Sequence, residues 1–158
     1  MSDARFEEGD EAPLRLIAQD SDGLAVIATL LQDAVFPITE MSLVRQKRRF
    51  ALMLNRFRWE YRDAAEQAGR AFERVQSLLV FEDVLTVQTQ GIDRGDKDMI
   101  LSLLDITFTP GADGTGVVTL ILAGDGAIAL QVEALDATLR DVTRPYLAPS
   151  GKVPTHDL

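Results

Sequence analysis

A chain of 158 residues with a net charge of −9 and no cysteine has the size of one domain and cannot form disulfides, thiolate zinc sites, iron–sulfur clusters or a thiol nucleophile. Its 46% apolar and 26% charged residues belong to a globular rather than a disordered chain. The acidic start has no apolar core of a secretory signal and no run approaches the roughly 18 apolar residues of a membrane span, so a cytoplasmic protein without a membrane partner is expected.

Residues 1–12 are acidic and aperiodic and read as a mobile tail. A short strand is expected in PLRLIAQ, followed by Asp20, Ser21 and Asp22, whose side-chain oxygens can cap a helix. Leu24, Ile27, Leu31 and Ala34 then recur at helical spacing and predict a helix over 22–34, with Pro37 blocking its continuation. Alternation of Met41 and Leu43, and of Phe50, Leu52 and Leu54, predicts a β-hairpin with Lys47 and Arg48 at its tip. After Asn55 the large apolar residues move to odd positions, Phe57, Trp59 and Tyr61, which suggests a β-bulge or the end of the strand.

Residues 61–73 suit a short exposed helix or a mobile connection. Val75–Gln90 is β-branched but interrupted at Glu82 and Asp83, one bent strand or two, and GIDRGDKD is a loop. Ile100, Leu104, Ile106 and Phe108 predict a further strand, and VVTLILAGDGAIALQVE a hairpin with Asp125 and Gly126 at its tip. Leu135, Leu139 and Val142 are spaced as a closing helix that Pro145 ends, and residues 147–158 read as a frayed tail. The expected fold is therefore a single α+β domain over 13–146. It is mainly an antiparallel meander of seven to eight strands with an early and a C-terminal helix, which in element count resembles a pleckstrin-homology-like barrel.

Three possible chemistries have simpler readings. Gly124, Gly126 and Ala129 fit a loose dinucleotide pattern, but the alternation of Ile128, Leu130 and Val132 makes a strand where that site needs a helix. Asp93, Asp96 and Asp98 crowd one loop without the spacing of a calcium loop and suit a turn. His156, the single histidine, lies in the C-terminal tail, where nothing would hold it for acid–base work. No cofactor and no catalytic residue are expected.

Charge supplies the one feature with functional content. From Arg45 to Arg62 seven basic residues stand against Glu60 alone, a net of +6, so the remaining residues carry −15. The candidate binding residues are Lys47, Arg48 and Arg49 at the hairpin tip and Arg56, Arg58, Trp59, Tyr61 and Arg62, in which guanidinium groups alternate with aromatic rings. Such a surface can grip an acidic peptide or stack and pair a nucleic acid. In the structural alternative the rings pack inward and the arginines pair with this chain's own carboxylates.

The stretches LRLIAQDSDGLAVIATLLQDAV at 14–35, RRFALMLNRFRWE at 48–60 and GDGAIALQVEALDATLRDV at 124–142 resemble an uncharacterised family of short proteobacterial proteins, a domain of unknown function. The resemblance implies a bacterial, cytosolic, free-standing domain and carries over no functional residues. The leading expectation is a non-catalytic binding or adaptor domain that recognises an acidic protein or peptide. A metal-dependent enzyme at Asp93, Asp96 and Asp98, and single-stranded nucleic-acid binding at the basic block, are the alternatives.

Overall fold

The computed structural model describes residues 13–58 and 74–143. The expected tails, the connection at 61–73, and Trp59, Tyr61, Arg62 and His156 lie outside the described residues. Strand β1 (Arg15–Ala18) leads into helix α1 (Ser21–Leu30), which begins where the Asp20 carboxylate accepts the Gly23 N–H at 2.7 Å and so satisfies one of the helix's unpaired donors. Leu24, Ile27 and Ala28 bury the inner face of α1 against β1 and the later strand β7 (Ile100–Pro110).

Everything else regular among the described residues is strand or single-turn 3-10 helix. The strands are β2 (Val35–Pro37), β3 (Met41–Val44), β4 (Arg49–Phe57), β5 (Arg74–Phe81) and β6 (Val84–Gln90). After β7 come β8 (Gly116–Leu122), β9 (Ala127–Val132) and β10 (Ala137–Asp141). They form one ten-stranded open sheet in the order β1-β10-β5-β4-β2-β7-β8-β9-β6, with β3 pairing with β4 off this path. Every pairing is antiparallel.

The α+β class and its barrel analogue are thereby corrected: the described fold is largely β, and its sheet does not close. The predicted C-terminal helix is absent. Leu135 and Leu139 do fit helical spacing, but Leu135, Ala137 and Leu139 are all buried while Arg140 is exposed, a period of two. Their backbone is taken up on both sides, because β10 pairs with β1 through Ala18↔Ala137 and with β5 through Ala137↔Phe81. Two neighbouring ladders outweigh a weak helical pattern.

Both predicted hairpins form. Met41 faces Leu52 and Leu43 faces Phe50 across β3 and β4, and Val118 faces Leu130 across β8 and β9. Glu82 and Asp83 divide β5 from β6, with Asp83 in the left-handed region at φ 58°. In β7 Ile100, Leu104, Ile106 and Phe108 do not line one buried face. A register shift between Leu103 and Asp105 moves the buried positions from Leu101 and Leu103 to Ile106, leaving Ile100 and Leu104 exposed.

Gly116, at the start of β8, is pressed against its partner strand. A Cβ there would lie 2.5 Å from the Phe108 ring and 2.6 Å from the Thr109 carbonyl oxygen, which as backbone cannot swing aside. Gly116→Ala is expected to lower stability by about 1–3 kcal/mol, read as a lower denaturant midpoint at unchanged slope; an unchanged midpoint would refute the close packing of β7 on β8.

Candidate functional site

Arg56 is not on a surface. Its pairing with Val75 lies within an unbroken register between β4 and β5, from Phe50↔Phe81 to Phe57↔Arg74, so no bulge intervenes. Alternation simply continues: Phe50, Leu52, Leu54 and Arg56 face inward together, and Arg56 is 0% exposed. The strand then ends at Phe57, also buried.

An ion in that position must be paired and fully hydrogen-bonded. Arg56 Nε and Nη2 donate to Asp141 Oδ1 and Oδ2, each at 3.1 Å, on a carboxylate whose side chain is 5% exposed. Nε also donates to Ser77 Oγ at 3.1 Å and Nη1 to the Phe57 carbonyl at 3.0 Å. The Ser77 hydroxyl in turn donates to Asp141 Oδ1 at 2.7 Å, and the Leu14 N–H donates to Oδ2 at 3.0 Å. Arg58 is also buried, at 7% exposure, and the guanidinium of buried Arg74 stands 4.9 Å from the centre of the Phe57 ring, a cation–π contact. Of the predicted binding residues, Arg56 and Arg58 therefore lie in the interior.

The hairpin tip is exposed but half neutralised. Residues Arg45–Lys47 make a 3-10 turn closed by Arg48 at φ 51°. Arg48 pairs with Glu133, and Arg49 Nε donates to both Glu82 oxygens at 3.1 and 3.0 Å. The Arg48 carbonyl accepts the Val84 N–H at 2.8 Å. Lys47 remains exposed, without an ion pair among the described residues.

In the loop 91–98 two of the three aspartates serve the backbone. Asp93 Oδ1 accepts the Gly95 N–H at 3.0 Å and Asp96 Oδ1 the Asp98 N–H at 3.1 Å, which is how Asp shapes a turn. Among the described residues no group of three or more acidic or imidazole side chains could hold a metal ion. The glycines at 124 and 126 belong to the β8–β9 turn, where the Leu122 N–H donates to the Gly126 carbonyl at 2.9 Å, and Ile128 continues as strand β9.

Where that loop approaches the β3–β4 hairpin, a groove of about 380 Å³ opens. Its apolar lining is Ile38, Met41, Leu43, Phe50 and Val87, and Thr39, Ser42 and Thr89 add hydroxyls. Arg45, Arg94 and Lys97 complete it, and among the described residues no carboxylate lines it. None of these three cations makes an ion pair among the described residues. Sequence reasoning counted Arg45 in the basic block without naming it a binding residue, and saw in 91–98 only the aspartates. No motif links the three positions, because they come together only when the sheet folds.

The chain was also compared with known proteins. The model of the family described as "Protein of unknown function (DUF2948)" matches residues 14–156. No curated protein and no solved structure matches it.

The Arg56–Asp141 pair has a measurable signature. Asp141→Ala strands a buried guanidinium and is expected to cost about 3–5 kcal/mol, whereas Arg56→Met with Asp141→Leu is expected to recover most of that loss. A double variant as unstable as the sum of its parts in chemical denaturation would show that the pair is not the coupled unit described.

Proposed function

We propose that this chain, which belongs to the DUF2948 family, is a non-catalytic binding domain that takes an acidic protein segment into the groove framed by Arg45, Arg94 and Lys97. One observation carries the reading. In a chain of net charge −9, three cations without ion pairs among the described residues converge on a groove that no carboxylate lines. Arg48, Arg49 and Arg56, by contrast, are paired with the chain's own acids.

The groove's cations would attract carboxylates and its apolar residues would retain the side chains between them, which gives both rate and residence to an encounter. Lys47, at the exposed tip, extends the same positive field. Nucleic acid is the weaker reading, because the field of a chain of net charge −9 opposes an extended polyanion. No helix among the described residues is long and apolar enough to cross a membrane. A bacterial cytoplasmic setting, as the family resemblance implies, is part of the proposal.

The test is fluorescence anisotropy with a labelled octapeptide of alternating glutamate and valine. Saturable binding that weakens with salt, and weakens at least about tenfold in Arg45→Glu/Arg94→Glu/Lys97→Glu, is expected. Absence of binding, or equal binding by a triple variant that keeps the native circular dichroism, would overturn the assignment.

A further inference from the structure

Resting on that reading, the geometry points to how the acidic segment is held: we infer that it binds as an added β-strand along the free edge of β6. Among the described residues the sheet ends at β6, which pairs there only with β9. Its sequence, VLTVQTQ, contains no proline to delete an N–H and no charge to repel a partner. Those are the usual protections of an exposed edge, and this strand is longer than the four-residue β1 at the sheet's other end.

Orientation is fixed at the strand's first residue. The Glu133 N–H donates to the Asp83 carbonyl, and Val84 faces Val132, which turns Val84's own N–H away from β9. That N–H is met by the Arg48 carbonyl at 2.8 Å. The side of β6 opposite β9 therefore already makes one bond to the hairpin tip, and from Thr86 to Gln90 no described strand continues it.

The groove opens beside that stretch. Val87 and Thr89 of β6 line it together with Met41, Ser42 and Leu43 of β3, and among the described residues β3 pairs only with β4. The groove thus lies between two strands that each have an unpaired edge, a site built for extended chain. A strand laid there turns alternate side chains to the same face, so apolar residues meet Met41, Leu43, Phe50 and Val87 while acidic ones reach the cations at the strand ends. Arg45 directly follows β3, and Arg94 and Lys97 follow β6.

Charge selects this occupant over a second copy of the chain. The groove's lining of Arg45, Arg94 and Lys97 complements an acidic peptide, whereas the β6 edge of a second copy, VLTVQTQ, brings no charge to meet them.

The probe is the alternating glutamate–valine octapeptide in three forms: unmodified, and N-methylated on either alternate set of backbone amides. The modification removes N–H donors from one edge of the peptide and leaves the protein untouched. Expected results are a loss of at least tenfold in affinity for one methylated form, little change for the other, and slowed amide exchange in Thr86–Gln90 of the full chain. Equal affinity of all three forms, with binding still lost on charge reversal, would overturn strand addition and leave the anion-binding groove standing. If the unmodified peptide does not bind, both readings fall. A dimer in sedimentation that Thr86→Lys dissolves would assign the edge to a second copy and overturn the inference as well.

Discussion

A guanidinium on the core side of β4 carries a desolvation cost of several kcal/mol even after the protein relaxes around it, and four strands are arranged to offset it. Asp141 supplies the countercharge from β10, Ser77 a hydroxyl from β5, and Leu14 an N–H just before β1. The carboxylate can accept all of these only if β10 lies between β1 and β5. Satisfying position 56 on β4 thus requires the placement that the two terminal strands of the described fold adopt. Breaking the group from either side leaves a buried charge alone, which costs far more than the intact pair contributes.

Three populations of cations stand out among the described residues of this acidic chain. Arg56 is enclosed in the core, while Arg48 and Arg49 tie the hairpin tip to Glu133 after β9 and Glu82 after β5. Those surface pairs add little stability by themselves, but together with the Arg48–Val84 backbone bond they hold the tip against the start of β6. The wall of the groove is therefore anchored. Arg45, Arg94 and Lys97 make up the third population, set on that anchored frame without a carboxylate beside them in the groove lining.

Local features were legible in the sequence where one residue type dictates one geometry. The Asp20 cap, the two hairpins and the break at Glu82 and Asp83 all follow from turn and capping chemistry. Features decided by distant partners were not. Leu135 and Leu139 fit a helix until β1 and β5 are present to claim the backbone of β10. Arginine is usually a surface residue, which hides Arg56 among the inward positions; Arg56 and Phe57 are both buried where β4 ends, so the shift of large apolar residues to odd positions marks the strand's end and not a bulge. The +6 segment is visible as a charge imbalance, yet its described members face core, tip and groove. The two cations that complete the groove with Arg45 lay in a loop whose aspartates drew the attention.

The place of β10 bears on how the protein is made. Leu14 and Asp141, 127 positions apart, are hydrogen-bonded neighbours, and β10 is inserted between earlier strands rather than added at a margin. Pairings of that separation make folding slow. During synthesis, which proceeds from the N-terminus, β4 and β5 can pair before Asp141 has left the ribosome, with Arg56 still lacking its counterion and β5 presenting an open edge. Completion of the nascent sheet waits for β10, so until that strand emerges the newborn chain depends on solvent, or on a chaperone, to cover the gap between β1 and β5.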